Sequence, residues 1–416
     1  MSREMKNSGI DWIGEIPKNW EVIKTKHAFK SEKNIVKENA KKYDRLSLTM
    51  NGVIKRDKED SHGLQPEHFE TYQIVYKDEL IFKLIDLENI STSRVGYSNY
   101  TGIVSPVYIR LINPDETKYG YYYFYNMWYQ HIFNFLGSGV RSSLTINNLL
   151  NVPYLKIPFD EKEKIIKILE NRFKKIRIII SETEESIEEL KKYKQSLITE
   201  AVTKGLDPNV EMKDSGVEWI GDIPKHWKFI KGKYIYKKLQ RPIRCDEIVT
   251  AFRDGQVMQR SKRRTEGFTN SLKEIGYQGV EKGDLVIHSM DAFAGAIGIS
   301  QDNGKCSPVC IVLNSFNSNI YNPYFSYLMR VYAYLGYIES MAKGIRVRSS
   351  DFKYHTFANT FLLIPKLQEQ QQIVQYLDNK ISTIDSLIED KTKVIEELEN
   401  YKKSLIYEYV TGKKEV

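Results

Sequence analysis

The chain is 416 residues long, carries a net charge of +8 and is 41% apolar, so it is long enough for two or three domains and apolar enough for their cores. It contains no run of 18 uncharged apolar residues, and its first six residues lack the apolar stretch of a signal peptide, which argues against a membrane span and against secretion. Three cysteines, Cys245, Cys306 and Cys310, are too few for a disulfide framework. We expect a cytoplasmic protein with reduced thiols, whose mild positive charge is compatible with a polyanionic partner.

In chain order, the first distinctive element is the phrase SGIDWIGEIPKNW at residues 8–20, which returns as SGVEWIGDIPKHW at residues 215–227 with nine of thirteen positions identical. The stretches 27–70 and 234–276 differ freely. The chain therefore contains two copies of one unit, with matching landmarks and variable content between them. Further landmarks match in the same order: KDELIFKLID (77–86) with KGDLVIHSMD (282–291), TGIVSPVYIRL (101–111) with NGKCSPVCIVL (303–313), and YKQSLITEAVT (193–203) with YKKSLIYEYVT (401–411).

The first part of each copy alternates short β-branched and aromatic runs with Gly, Pro, Asn and Asp, a pattern that predicts strands. Two aromatic-rich runs, residues 119–133 and 323–338, are too long for strands and predict one helix each. Each copy should therefore begin with an α+β domain. The predicted strands are ELIFKLI (79–85), IVSPVYIRLI (103–112), DLVIHSM (284–290) and CSPVCIVLN (306–314).

Each copy ends in a predicted long helix, since neither Pro nor Gly occurs from Asp160 to Thr203 or from Lys366 to Thr411. Apolar residues recur with a heptad spacing over five heptads in both, which is typical of a coiled coil. At 1.5 Å per residue each helix would be roughly 65 Å long. The seam residues are Leu169, Phe173, Ile176, Ile180, Ile187 and Leu190 in the first helix, and Leu377, Ile381, Ile384, Ile388, Ile395 and Leu398 in the second.

A seam of this length needs a partner, and the other copy supplies one. We expect the two helices to pair antiparallel, with the two α+β domains related by an approximate two-fold axis. The alternative is that each helix packs only on its own domain. The predicted boundaries are 1–158 for the first domain, 159–204 for the first helix, 205–365 for the second domain and 366–416 for the second helix.

Motifs of catalysis are missing from the sequence. There is no P-loop and no GxGxxG after a strand. NPYF at residues 322–325 resembles the Asn-Pro-Pro-Tyr/Phe motif of amino-methyltransferases, but it lacks the second Pro and stands at a predicted helix start. PDETK at 114–118 has the residue types of a nuclease Pro-Asp…Glu-x-Lys motif, but they fall within a single turn, which predicts a loop and not a nuclease site. His62 and His68 are expected to be loop histidines, and no metal site is predicted.

Two related domains with different content, held a fixed distance apart, suit one extended ligand with two separated features. Duplex DNA is such a ligand, because domains one helical turn apart, or a multiple of it, can enter its grooves from one face. A chain of this kind would recognise an asymmetric, two-part DNA site.

The thirteen-residue phrase opening each half, the Ile-Pro before each long helix (Ile157-Pro158 and Ile364-Pro365) and the closing Tyr-Lys-x-Ser-Leu-Ile together resemble the specificity (S) subunit of type I restriction–modification systems. The resemblance spans essentially the whole chain, twice. It implies two target recognition domains, each reading one half of a bipartite DNA sequence, and helices that set the gap and dock two methyltransferase (M) subunits.

The same resemblance implies that the chain is not an enzyme and has no cofactor of its own. The M subunits would bring S-adenosylmethionine and methylate adenine, and restriction (R) subunits would add ATP- and Mg-dependent cleavage.

Candidate DNA-binding residues are basic or amide side chains in variable or Gly-rich stretches. Arg can contact phosphate or read guanine, and Gln can read adenine; a solvated charged loop is the alternative for each group. The candidates in the second copy are Arg253, Gln256, Gln259, Arg260, Lys262, Arg263, Arg264, Arg346, Arg348 and Ser349. Those in the first copy are Asn51, Lys55, Arg56, Lys58, Arg141, Ser142 and Ser143.

Other recurring residues have structural interpretations. Trp12, Trp20, Trp219 and Trp227 are predicted to be packing residues. Thr183, Lys194, Lys391 and Lys402 interrupt the seam, either to specify helix register or to face an M subunit. The tyrosines of the first aromatic helix, Tyr121, Tyr122, Tyr123 and Tyr125, are predicted to belong to the core or to a helix-docking surface.

Two other functions are consistent with parts of the sequence. A fused DNA methyltransferase would need a cofactor loop and an Asn/Asp-Pro-Pro-aromatic motif, which the sequence lacks. A coiled-coil scaffold whose domains bind proteins would show no salt-dependent binding to random duplex DNA.

Overall fold

A computed structural model of the chain describes residues 3–50, 52–57, 68–88, 92–137, 143–263, 274–341 and 352–416. The chain divides into two compact units. Unit 1 consists of residues 1–184 and 392–416, and unit 2 consists of residues 185–391.

The first copy of the repeat contains short strands, one 3₁₀ helix (Lys37–Lys42) and a long helix at its end. Its elements are β1 (Met5–Asn7), β2 (Glu15–Pro17), β3 (Glu21–Lys24), α1 (Thr25–Ala28), β4 (Arg45–Thr49), β5 (Gly52–Arg56), β6 (Gln73–Val75), β7 (Leu80–Phe82), β8 (Val95–Tyr97), β9 (Gly102–Val104), β10 (Ile109–Leu111), α2 (Thr117–Tyr129), α3 (Ile132–Leu136), α4 (Ile146–Asn151), β11 (Pro153–Lys156) and α5 (Phe159–Lys204).

The second copy follows the same plan, with 3₁₀ helices at Gly232–Tyr234, Arg260–Lys262 and Ala292–Ala294. Its elements are β12 (Met212–Asp214), β13 (Asp222–Pro224), β14 (Lys228–Lys231), β15 (Tyr236–Lys238), β16 (Val249–Ala251), β17 (Val257–Gln259), β18 (Gln278–Val280), β19 (Leu285–His288), β20 (Ile297–Ile299), β21 (Gly304–Cys306), β22 (Cys310–Ser315), α6 (Asn322–Tyr334), α7 (Tyr337–Ser340), α8 (Tyr354–Asn359), β23 (Phe361–Ile364) and α9 (Leu367–Val410).

Each domain has its own central sheet, and the two sheets have similar strand orders. In unit 1 the strand order is β10-β7-β8, and in unit 2 the equivalent strands lie in the order β22-β19-β20, with β15 added beside β22; all of these pairs are antiparallel. A second sheet in unit 1 has the order β5-β4-β9-β6 and includes a parallel pairing of β4 with β9. The small pairs β11-β3 and β14-β23 bring the last strand of each domain back to its start. The predicted α+β class is confirmed.

The local structure departs from the sequence prediction at two kinds of position. The runs 103–112 and 306–314 are each divided by a Ser-Pro turn, so the first contains β9 and β10 and the second joins β21 to β22. Proline lacks the N–H that a strand ladder needs. Each predicted aromatic helix is also two helices, because His131 (φ 57°) and Gly336 (φ 75°) adopt the left-handed conformation and end α2 and α6 early.

The predicted Trp and Tyr packing residues lie in the cores. Trp20 and Trp227 are fully buried, and Trp12 and Trp219 are half-buried against Tyr123 and against Tyr332 and Tyr337. Along α2, Tyr122, Tyr123 and Tyr125 are buried, and Tyr122 packs edge-on against Phe173 of α5. Both predictions, that the tryptophans pack and that the α2 tyrosines belong to the core or a helix-docking surface, are confirmed.

Each unit holds the beginning of one long helix and the end of the other. In unit 1, residues 165–176 of α5 share a core with residues 405–410 of α9. In unit 2, residues 197–202 of α5 share a core with residues 373–384 of α9. The start of one helix therefore packs with the end of its partner in both units, which is antiparallel pairing.

Two repeated residues hold the two helix ends in each unit: the last Trp of the thirteen-residue phrase binds the start of one long helix, and a Tyr of the aromatic helix binds the end of the other. In unit 1 the Trp20 indole N–H donates to Glu161 in the first turn of α5 (2.8 Å), and the Tyr119 hydroxyl donates to the carbonyl of Val410 at the end of α9 (3.0 Å). We call this set of four residues the helix latch. The helix latch of unit 2 is the same: Trp227 donates to Glu369 (2.9 Å) and Tyr324 donates to the carbonyl of Val202 (3.0 Å).

Candidate nucleic-acid interface

The basic cluster predicted in the second copy lies on the β16–β17 hairpin of unit 2. Arg253 and Gln256 are exposed in the turn between the strands, while Gln259 ends β17 and Arg260–Lys262 form the 3₁₀ helix after it. The Gln259 amide donates to the carbonyl of Asn303 (3.1 Å), whereas the Gln256 side chain is directed to solvent. The basic cluster is thus divided between the two ends of β17, with Arg253 and Gln256 before the strand and residues 259–262 at its end.

Three cations of this cluster form ion pairs with carboxylates of the same unit: Arg253 with Asp291 (2.7 Å), Lys262 with Asp302 (2.5 Å) and Arg263 with Asp254 (2.7 Å). The Arg263 guanidinium also lies over the ring of Phe252, 4.2 Å from its centroid. A DNA phosphate would have to compete with these carboxylates, so the surface is less attractive to polyanions than the sequence suggested. The same pairs hold the arginines in defined positions, which favours specific contacts.

Arg253 lies beside the turn that follows β19. His288 ends that strand, half-buried, with Nδ1 3.3 Å from the Asp291 carboxylate that Arg253 also binds. Burial lowers the pKa of His288; the Asp291 carboxylate opposes that effect, while the neighbouring Arg260 and Arg253 add to it. Met290, between the two, is 46% exposed. The turn therefore combines a recessed imidazole, an arginine and an exposed apolar side chain.

Two candidates of the first copy, Lys55 and Arg56, lie on β5. Lys55 is exposed, pairs with Asp44 (2.6 Å) and lies over the ring of Tyr100 (5.4 Å). The hydrogen bond and the charge of Asp44 raise the pKa of Lys55. Arg56, the next residue along the strand, is half-buried, as is Ser143. Of the unit 1 candidates that the structure describes, Lys55 is the most exposed and so the best placed to meet a phosphate.

Two basic residues that the sequence analysis missed lie at the end of β7. Lys83 occupies the position of His288 in the matched landmarks, and burial together with nearby Arg94 lowers its pKa. Arg94 is buried and donates to the carbonyl of Asp86 and to the Thr92 hydroxyl (3.3 Å). Ile85, like Met290, is exposed (38%). The sequence carried a signal for Lys83, which differs from its counterpart His288 inside a matching landmark, but not for Arg94, which lies outside the landmarks.

We call residues 83–86 and 288–291 the strand-end turns. Each accepts a backbone hydrogen bond from a residue that follows a Gly- and Arg-containing segment, residues 139–141 in the first copy and 344–348 in the second. The amide of Leu144 donates to the carbonyl of Leu84 (2.9 Å), and the amide of Phe352 donates to the carbonyl of Ser289 (3.2 Å). Several candidates lie outside the described residues: Asn51, Lys58, Arg141, Ser142, Arg264, Arg346, Arg348 and Ser349.

The twelve seam residues of the long helices are buried or half-buried. The polar residues that interrupt the seam are half-buried as well, and Lys194 forms an ion pair with Asp385 in unit 2 (2.7 Å). In unit 1 the Lys402 ammonium lies over the ring of Phe173 (5.8 Å). These two contacts join α5 to α9 and fit the interpretation that polar seam residues help to specify helix register.

Among the described residues, no group of three or more His, Cys, Asp and Glu side chains is arranged to hold a metal ion. Within the same part of the chain, no helix is both long enough and apolar enough to cross a membrane. Asn322 and Pro323 begin α6, so the methyltransferase-like NPYF letters serve as a helix start.

Comparison with known proteins gives one consistent result. The family described as Type I restriction modification DNA specificity domain matches residues 229–397. A putative type I restriction enzyme MjaX specificity subunit from Methanocaldococcus jannaschii is 24% identical over 435 aligned positions, covering 96% of this chain and 95% of that protein. Residues 229–397 thus match a type I restriction–modification DNA specificity domain, and nearly the whole chain is similar to a type I specificity subunit.

Two further similarities support this assignment. The type I restriction enzyme MjaVIII specificity subunit of the same organism is 22% identical, with 82% of this chain and 80% of that protein covered. A solved chain from work on complex assembly and conformational transition of the type I R-M system has a TM-score of 0.68 at 13% identity, over 95% of this chain and 98% of that chain, and so shares its fold. These matches confirm the resemblance to type I specificity subunits that the sequence indicated. That family is non-catalytic and is described by its DNA specificity.

Proposed function

We propose that each unit of this specificity subunit reads one half of an asymmetric, two-part duplex DNA target. The observation that carries the proposal is that the helix latch has the same contacts in both units while the candidate DNA-facing side chains differ between them. A repeated scaffold with different surface chemistry suits two different half-sites. The long helices, held at both ends by the helix latches, would set the gap between the half-sites.

The methylation pattern of the host genome, compared with and without this chain, tests the proposal. We expect a two-part methylated motif that depends on the chain. Replacing residues 234–300 with the same region of a related chain should change one half-site and leave the other intact. A motif that persists without the chain, or a replacement that alters both halves, would contradict the proposal.

The spacer role has its own test. Deleting one heptad from α5 and one from α9, at matched positions, keeps the seam in phase and shortens the paired helices by roughly 10 Å, since each residue contributes 1.5 Å. We expect a shorter gap between unchanged half-site sequences. Altered half-sites with the original gap would refute this role.

We further propose that the long helices dock two M subunits. The supporting observation is a repeated pattern of exposed apolar side chains. Ile179 (44% exposed) and Leu387 (45%) are equivalent positions of the two helices, and so are Tyr193 (56%) and Tyr401 (45%). Exposed apolar residues at equivalent positions indicate two equivalent binding surfaces.

Native mass spectrometry of the chain expressed with its M subunit tests this stoichiometry. Ile179→Asp should remove one M subunit and the double variant with Leu387→Asp should remove both, since a charge at an apolar contact costs binding energy. Lys175→Asp, an exposed polar position on the same helix, is the control and should leave two M subunits bound. Full assembly of the double variant would exclude these positions from the interface.

The remaining partner roles are carried by the family resemblance. In this proposal the M subunits bind S-adenosylmethionine and methylate adenine, and R subunits use ATP and Mg²⁺ for cleavage. Transfer of labelled methyl groups by the chain alone would instead favour the fused-methyltransferase alternative.

A further inference from the structure

The two strand-end turns occupy the same place in their units. Each follows the strand that lies between two others in the central sheet, β7 between β10 and β8, and β19 between β22 and β20. Such a strand is fixed on both edges by ladder hydrogen bonds, so the residues at its end are held more rigidly than those of a peripheral loop. The two strand-end turns therefore have equivalent positions in the two units. The basic cluster on the β16–β17 hairpin of unit 2 differs in this respect, because the β4–β5 hairpin of unit 1 does not carry the same charges.

The composition of the strand-end turns is also equivalent. Each places a half-buried cationic or titratable side chain (Lys83 or His288) two residues before an exposed apolar one (Ile85 or Met290). Exposed apolar side chains next to basic groups are used on DNA to contact the thymine methyl group or to wedge between base steps, while the basic groups contact phosphate or the guanine edge.

Side chains outside the strand-end turns brace both of them. In unit 1, buried Arg94 donates to the carbonyl of Asp86. In unit 2, Arg253 binds the Asp291 carboxylate through Nη2 (2.7 Å) and Nε (3.2 Å), and the amide of Ala296 donates to the Asp291 carbonyl (3.2 Å). The last residue of each strand-end turn is thus tied down, which leaves the preceding apolar side chain projecting from a fixed backbone.

From this arrangement we propose that the strand-end turns are the paired base-reading points of the two units, with Ile85 and Met290 on the base edges and Lys83 and His288 beside them. The proposal rests on the proposed function, since it names the residues by which each unit reads its half-site. Equivalent positions with different side chains, lysine against histidine and isoleucine against methionine, let one scaffold read two sequences. Arg94 acts as a positioning residue, and Lys262 and Arg263 contact the DNA backbone.

The test uses the full chain expressed with its M subunit in a host without other adenine methylation, with the methylated motif read by sequencing of modified bases. Ile85→Ala should change or relax one half-site, and Met290→Ala should change or relax the other. Methylation of the parent target should fall about tenfold in each, the size of one good base contact. Both side chains are exposed, so the variants should keep the parent melting temperature.

Matched controls come from the opposite edge of each central sheet, before β7 in unit 1 and after β22, which runs antiparallel to β19, in unit 2. Lys77→Ala changes an exposed residue before β7, and Phe316→Ala changes an apolar residue, 57% exposed, after β22. Both should leave the motif and the extent of methylation unchanged. For the basic groups, Lys83→Ala should weaken the same half-site as Ile85→Ala.

The outcomes separate the two proposals. If Ile85→Ala and Met290→Ala behave like the controls, or if either one changes both half-sites, the strand-end turns are not the reading points, although the two-part recognition still holds. If the parent chain produces no two-part motif, the proposed function itself fails.

Discussion

The two units hold their helices in the same way but neutralise a buried acid differently. The helix latch uses the same residue types and the same hydrogen bonds in both. A buried acid stands just before β7 in unit 1 and just before β19 in unit 2; it is Glu79 in the first and Asp284 in the second. Glu79 pairs with Arg110 of β10 (2.7 Å), whereas Asp284 pairs with Arg241, which follows β15 (2.5 Å); the residue matching Arg110 is Val312.

The shared task of the acid explains the difference. Glu79 accepts the amide of Tyr76 (2.9 Å), and Asp284 accepts the amide of Glu281 (2.8 Å), so each acid closes the turn that leads into the central strand. A buried carboxylate needs a cation, but any strand that brings an arginine within reach can supply it. The helix latch, by contrast, binds the backbone and first turn of two helices whose geometry is the same in both units. Its residues are therefore alike in the two units, while the rest of the two domains differs.

The largest effect should come from removing the cation in unit 1. Arg110→Val installs the residue of unit 2 and leaves the Glu79 carboxylate buried without its partner, which costs about 3–5 kcal/mol. Arg241→Val should cost less, because the Arg241 side chain is 23% exposed against 3% for Arg110, so water replaces its charge more easily. Urea-induced unfolding compares the two, and an Arg110→Val midpoint equal to that of the parent would contradict the comparison.

A smaller effect is expected at the helix ends. Gly412 after α9 and Gly205 after α5 both adopt left-handed conformations (φ 73° and 80°), which cost an alanine about 1–2 kcal/mol. A Cβ at Gly412 would also meet the ring of Pro17, whereas the nearest atom at Gly205 is a Glu369 carboxylate oxygen at 3.3 Å. We expect Gly412→Ala to lower the melting temperature more than Gly205→Ala. The reverse order would show that Pro17 moves aside.

The carboxylates of the two helix latches provide a third comparison. Glu161 accepts from Asn19 (2.8 Å) and Trp20 and pairs with Arg3, whereas Glu369 accepts from His226 (3.0 Å) and Trp227. Burial alone would raise the pKa of Glu161, but these hydrogen bonds and the Arg3 charge lower it overall. Glu161→Gln should therefore cost about 1–2 kcal/mol, more than Glu369→Gln.

The pH dependence follows from the sign of that shift. Because the folded-state pKa of Glu161 is lowered, its stabilisation is present above the ordinary value of 4.5 and is lost as the pH falls through the lowered pKa. The difference in unfolding free energy between Glu161→Gln and the parent should be constant near pH 7 and shrink at acidic pH. Unfolding curves at several pH values measure it, and a difference that grows on acidification would contradict the assignment.

The smallest effect should be on non-specific DNA binding by unit 2. Asp254→Asn releases Arg263 while keeping the oxygen that accepts the Gln256 amide (3.1 Å). One more free cation should steepen the slope of log affinity against log salt by about 0.9. Fluorescence anisotropy with random duplex DNA at several salt concentrations measures the slope. An unchanged slope would show that Arg263 does not reach phosphate.

Part of the candidate interface could be found from the sequence. Arg253, Gln256 and Lys262 stand out as basic or amide residues in a variable stretch, and all three are exposed on the β16–β17 hairpin or in the 3₁₀ helix that follows it. Their carboxylate partners could not be found, because Asp291 and Asp302 lie about 40 residues away in sequence and are brought near by strand pairing. Lys83 and Arg94 were missed because neither lies in a basic run.

The sequence by itself determined the duplication, because matching landmarks recur about 205 positions apart. It also determined the position of both long helices and the α+β character of each domain, because these depend on local patterns that repeat every two or seven residues. Tertiary structure alone decided which atoms hold the helix ends, which arginine meets each buried acid and which side chains project from the strand-end turns. Those contacts join residues up to 291 positions apart, such as Tyr119 and Val410, and depend on how the strands and helices pack rather than on any run of neighbouring letters.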